Sequence, residues 1–299
     1  MKYTVPKIIK EKQAKKESRE KFWKVFLIEG GLFLLTSLLA IVSAFELNRL
    51  AQSKKFYLPA TPLQSFLFAL LFVVFFVLIF VTYKKAGKLK PAIYKGFFLI
   101  ISFWGIMAIL NLFLPVFVAV LVAGILIALW LERQVVWMHN GLMSLGLAGI
   151  ASFFGLGFTP SVAVAFLLIS SVYNFIATYK TKHSALIEKE MMENKIVLGF
   201  IIPKDLKRFK DKLKELKPNG NFMILGGGSV VFPSLLAVSV IPSGLLKALI
   251  IVLFSFFGCL LGHYIFTKEP KGKAEPTPTL PPIALFSIIG YLITMLLPS

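Results

Sequence analysis

Long apolar runs separated by short polar connections fill almost the whole chain. They lie near residues 25–45, 63–83, 96–112, 115–131, 137–154, 161–179, 221–241, 244–266 and 281–298. Each approaches the about twenty apolar residues that a helix needs to cross the hydrocarbon of a bilayer. A helix satisfies its backbone hydrogen bonds within itself, so lipid selects helices for runs of this kind. The pattern predicts an all-α polytopic membrane protein with nine transmembrane helices. The connections at 111–115 and 155–160 are short and uncharged, so a count of eight stays open there.

Between the sixth and seventh runs, at 180–220, the pattern changes. Leu206, Phe209, Leu213 and Leu216 recur at helical spacing among Lys204, Lys207, Arg208, Lys210, Lys212 and Lys214. This predicts a basic amphipathic helix, bounded by Pro203 and the turn residues Pro218, Asn219 and Gly220. Such a helix rests on anionic lipid head groups or forms a surface that admits a substrate. The chain therefore divides into a basic tail (1–24), six spans (25–179), a basic segment (180–220) and three further spans (221–298).

Basic residues orient this arrangement. Of the 33 Lys and Arg residues, all but Arg49, Lys54, Lys55 and Lys247 fall on one side of a nine-span chain. By the positive-inside rule the N-terminus is cytoplasmic and the C-terminus outside. The tail carries Glu11, Glu17 and Glu20 among its basic residues and is longer than the basic region of a cleavable signal, so the first span is retained.

Composition agrees, with 57% hydrophobic and only 16% charged residues. A net charge of +19 would suggest nucleic acid in a soluble protein, but here the basic residues gather between apolar runs, where anionic lipid is the partner. The single cysteine, Cys259, lies in an apolar run, which excludes a disulfide within the chain and suits a buried, inert thiol. His139, His183 and His263 are scattered and lack the spacing of a zinc-protease helix.

Two polar strings interrupt the apolar runs. Ser170, Ser171, Tyr173 and Asn174 lie in the sixth run, toward its cytoplasmic end, and Gly226-Gly227-Gly228-Ser229 opens the seventh, with Pro233 soon after. Because the two runs cross in opposite directions, Asn174 and Ser229 are expected at similar depth. Glycines permit close helix approach and non-helical backbone where an extended ligand could be held. A third string, Pro278-Thr279-Leu280-Pro281, heads the last run after a proline-rich linker.

Together the three strings resemble, in order and on the sixth, seventh and ninth spans, the motifs of the presenilin and signal-peptide-peptidase family of intramembrane aspartyl proteases. Tyr173-Asn174 stands at the family's Tyr-Asp, Gly226 to Ser229 at its Gly-x-Gly-Asp, and Pro278-Thr279-Leu280 at its Pro-Ala-Leu. The similarity looks closest to prokaryotic, especially archaeal, homologues, which are short and need no partner subunits. It implies a presenilin-like bundle in the cell membrane. Its substrates would be single transmembrane helices, held as an extended strand near Tyr173, Gly226, Gly227, Gly228, Pro278, Thr279 and Leu280. It implies no metal or organic cofactor.

The two catalytic aspartates of that family fall on Asn174 and Ser229. Two facing aspartates share a proton, one activating water and the other protonating the leaving group. An amide cannot act as a general base, and a serine cannot without an activating partner. The chain's only aspartates, Asp205 and Asp211, lie in the basic segment. The expectation is a protease scaffold without proteolysis. An engineered inactive form is the favoured reading because Asp to Asn is the usual silencing substitution, with a natural pseudoprotease as the alternative.

A transporter or channel is the competing class, since broken, glycine-rich helices also build midplane transport sites. No inverted repeat is visible, and Glu29 is the only acid well inside an apolar run. A serine-protease arrangement at Ser229 would need a basic partner at membrane depth, for which His263 is the remote candidate. Oligomeric state leaves no mark in the sequence.

Overall fold

The computed structural model describes residues 7–53, 61–67, 69–71, 74, 87–180, 183–193, 195–216, 221–268 and 278–298. Among these described residues, nine longer helices and two strands follow in chain order. They are α1 (Lys7–Ser53), α2 (Lys90–Leu110), α3 (Val116–Arg133), α4 (Val136–Gly157), α5 (Pro160–Tyr179), α6 (His183–Glu193), β1 (Gly199–Pro203), β2 (Phe222–Gly226), α7 (Gly228–Ser239), α8 (Leu245–Lys268) and α9 (Leu280–Met295). Six helices among the described residues are long and apolar enough to cross a membrane: Arg19–Ser53, α2, α3, α4, α5 and Leu245–Ile265. α9 and the helix of α7 are apolar but shorter, and most of the second run, at 63–83, lies outside the described residues.

The prediction of an all-α chain is corrected by the sheet. β1 and β2 pair antiparallel in the register Gly199↔Gly226 to Pro203↔Phe222. The seventh run is accordingly a strand followed by a helix, broken at the glycine triplet. The amphipathic helix expected over 204–216 is also absent. That stretch forms two 3-10 turns, at Leu206–Lys210 and Leu213–Glu215. Asp205 accepts from the backbone N–H of Lys207 to start the first, and a bridge between Val135 and Lys212 draws the segment onto the start of α4. Leu213 and Leu216 are buried against the core while Leu206 stays exposed.

α4 is the central post, packed by α1, α2, α7 and β1. Small residues let it approach closely. The backbone of Gly105 on α2 lies directly against Gly146 and Gly149, and a Cβ on Gly146 would stand 3.0 Å from the Ile101 carbonyl. Gly149→Val is expected to force these backbones apart at a cost of about 1–3 kcal/mol. The readout is thermal unfolding in detergent, and an unchanged midpoint would show that the contact yields freely.

α8 and α9 form the other close pair. Ser255 and Ser287 hydroxyls meet at 2.7 Å, and Gly258 faces the backbone of Pro282 and Ile283. Pro281 and Pro282 sit in the first turn of α9, where missing N–H groups leave no helical bond unmade. Gly262 leaves room for Thr279, which thereby comes to rest beside the start of α7.

Candidate active site

The hairpin and α7 build the centre of the site. Gly227 starts the helix, donating its N–H to the Leu198 carbonyl across the hairpin and accepting at its own carbonyl from Val230 and Val231. A side chain at Gly227 would press on the Leu198 carbonyl at 3.2 Å and on Leu147. A glycine fits the sharp strand-to-helix transition here without pressing on either neighbour, and the transition delivers Ser229 to the first turn of α7. Pro233 lies one turn later and has no N–H to give the Ser229 carbonyl, so that carbonyl loses its helical donor.

Ser229 is buried, and its Oγ lies 2.7 Å from Thr279 Oγ1. Two of the three predicted strings are thus in direct contact, across 50 positions of sequence. Pro278 and Leu280 are buried on either side of Thr279. Gly226 is exposed, Gly227 buried and Gly228 intermediate, so the triplet presents one open backbone position at its strand end.

Asn174 sits on α5, which packs against both α7 and α9. Its side-chain Oδ1 is buried with no hydrogen-bond partner among the described residues, while its backbone carbonyl accepts from Thr178 Oγ1 at 2.8 Å. An orphaned polar atom at such a position is unusual in a satisfied helix bundle. No hydrogen bond among the described residues joins Asn174 to Ser229. Tyr173 is 58% exposed on the same helix and makes no hydrogen bond among the described residues, so its side chain is not gathered with Ser229 and Thr279.

His263 does not meet Ser229. Its Nδ1 lies 2.5 Å from Glu29 Oε2, in a pair sealed by Phe22 and Phe26, and Cys259 Sγ stands 4.0 Å from Glu29 Oε1. The one acid that the sequence places at membrane depth is therefore taken up between α1 and α8, and Ser229 has Thr279 rather than an imidazole beside it. Among the described residues no group of three or more His, Cys, Asp and Glu side chains could hold a metal ion.

Sequence reasoning missed Asn140 and His139. The Asn140 carboxamide bonds both backbone groups of Ile201, donating from Nδ2 at 2.8 Å and accepting at Oδ1 at 2.9 Å, and His139 Nε2 lies 3.1 Å from the Gly199 carbonyl. The available signal was a polar His-Asn pair opening an apolar run.

Two solved structures resemble this fold. Each is the structure of a presenilin family intramembrane aspartate protease, one in space group C222 and one in P2. The first aligns with a TM-score of 0.61 at 20% identity, covering 91% of this chain and 99% of its own. The second aligns at 0.58 and 22%, covering 90% and 96%. No curated protein matches the sequence. The profile of the family described as signal-peptide peptidase, presenilin aspartyl protease matches residues 30–299, and with that span the chain belongs to this family of multi-pass membrane proteins built on an intramembrane aspartyl protease scaffold.

Proposed function

We propose that this protein is a non-proteolytic member of its family that binds single transmembrane helices of other proteins, with Asn174 and Ser229 at the positions of the two catalytic aspartates. The observation that carries it is the 2.7 Å hydroxyl pair of Ser229 and Thr279. These residues are two departures from the family's motifs, Ser for Asp and Thr for Ala, and they are bonded to each other. A substitution introduced only to silence the enzyme would not bring a complementary hydroxyl on a different helix. The pair therefore favours a natural loss of proteolysis over an engineered one, reversing the preference that Asn174 alone suggests.

The chemistry follows from the side chains. Neither an amide nor a hydroxyl bonded to another hydroxyl can take a proton from water, so no general base stands where one is needed. Binding needs no such group. An extended segment from an unwound helix must find partners for its freed backbone groups. β2 supplies them beside Gly226, while Gly227, Gly228, Pro278, Thr279 and Leu280 line its continuation and Tyr173 offers an aromatic approach from α5.

The same reading takes the chain as nine spans in the cell membrane, with the segment near 63–83, α7 and α9 added to the six long helices. The N-terminus is cytoplasmic and the C-terminus outside, as the distribution of Lys and Arg supports. The basic segment at 204–217 then rests on anionic head groups.

The test is the full chain reconstituted in vesicles containing anionic lipid, with a fluorescent single-span peptide. Saturable binding with the peptide recovered intact by mass spectrometry is expected. Fragments that disappear with an aspartyl-protease transition-state inhibitor would overturn the loss of proteolysis. Binding that never saturates would overturn the holding role.

A further inference from the structure

A two-stranded ribbon has two outer edges, each a template for a further strand. The register says which backbone groups lie on them. Gly227 donates to Leu198, so the inward-bonding pairs are 198 with 227, 200 with 225 and 202 with 223. In an antiparallel pair the alternate residues point outward: Gly199, Ile201 and Pro203 on β1, and Phe222, Ile224 and Gly226 on β2.

The two edges are treated differently. On β1, the Gly199 carbonyl lies 3.1 Å from His139 Nε2, both groups of Ile201 are bonded by Asn140, and Pro203 has no N–H. The Asn140 carboxamide is a side-chain peptide group, one donor and one acceptor side by side, and it takes the place that a third strand would fill. Both residues are fully buried at the start of α4, and the same turn is bonded to the basic segment through Val136 N–H to Asp211 and Leu213 N–H to Gln134. On β2, the outward groups of Phe222, Ile224 and Gly226 have no partner among the described residues, and these residues are half-buried or exposed.

We propose that Asn140, assisted by His139, is a positioning residue that closes the β1 edge, so that an incoming extended segment can add only to β2, in line with Ser229. The inference rests on the strand-holding role proposed above and adds the residue that gives the hairpin a single open side. Three bonds from two neighbouring side chains of α4 tie β1 to the bundle.

The experiment uses the reconstituted full chain and a single-span peptide carrying a diazirine, with attachment sites mapped by mass spectrometry. In the unmodified chain, saturable labelling confined to 222–226 is expected. In Asn140→Leu, labelling at 199–203 should rise to match it. Ile224→Pro removes one outward N–H without touching a β1–β2 bond and should weaken binding about tenfold, which keeps the idea testable if Asn140→Leu does not fold. Labelling of both strands in the unmodified chain, labelling of β2 alone in folded Asn140→Leu, or unchanged affinity in Ile224→Pro overturns this inference alone. Absence of saturable labelling in the unmodified chain overturns the strand-holding role together with it.

Discussion

Asn174→Asp combined with Ser229→Asp should take cleavage of a single-span peptide from none to measurable turnover, and adding Thr279→Ala should raise that turnover by up to about tenfold. The double change puts a carboxyl group at each position proposed for the family's aspartates, on helices α5 and α7 that pack together. The further gain follows from the contact at 2.7 Å between Ser229 and Thr279. A carboxylate at position 229 would keep the Thr279 hydroxyl as a donor, and a donor favours the charged form of an acid. A dyad works with one proton shared between two carboxyls, and a donor that fixes the charge on position 229 makes that carboxylate a weaker base toward the attacking water. Removing the threonine hydroxyl also restores the family's Pro-Ala-Leu. Peptide fragments quantified by mass spectrometry, with a transition-state inhibitor as control, give the readout. Turnover by either single revertant would show that the dyad is wrongly placed. A rate lowered by Thr279→Ala would show that the hydroxyl assists the reaction.

The long helices were legible because lipid permits little else. The runs at 96–112, 115–131, 137–154 and 161–179 became α2 to α5 with ends shifted by a few residues. α2 begins six residues early, at Lys90, because a helix continues past its apolar stretch until something stops it; the Lys90 ammonium there bonds Glu190 at 3.0 Å. The hairpin was hidden for a physical reason. Phe222 to Leu225 is a short apolar run, and periodicity cannot separate a buried strand from a piece of helix at that length. Its partner begins 23 positions earlier at Gly199, across a charged segment, so the pairing is non-local. The spacing of Leu206, Phe209, Leu213 and Leu216 misled because 3-10 turns also bring residues three apart onto one side. Local signals instead end each turn quickly: Asp205 starts one, and the backbone of 211–213 is taken by Gln134 and Val136. In the candidate site, the strings at 226–229 and 278–281 give no hint that the side chains of Ser229 and Thr279 touch. The sequence offers His263 as a remote partner for Ser229, whereas its partner Glu29 lies 234 positions away on the first helix.

That pair carries the second large expectation. His263→Leu alone should destabilise the protein by about 3–5 kcal/mol, while Glu29→Leu with His263→Leu should recover most of the loss. The reason is the asymmetry between removing one buried partner and removing both. Glu29 and His263 expose 4% and 0% of their side chains, and Phe22 and Phe26 close over the imidazole. A carboxyl left alone there keeps its desolvation cost and loses its compensation, since the remaining neighbour, Cys259, is a weak donor 4.0 Å away. Two leucines leave nothing to compensate. Unfolding in detergent of the parent, both single variants and the double variant completes a thermodynamic cycle, and single effects that simply add would show that the residues do not depend on each other. The same variants separate scaffold from site. α1 and α8 carry the pair, whereas Ser229 and Thr279 belong to α7 and the start of α9. The double leucine change placed in the Asn174→Asp, Ser229→Asp background should therefore leave cleavage in folded protein intact. Abolished cleavage in a folded quadruple variant would instead assign the buried acid and imidazole a part in the chemistry.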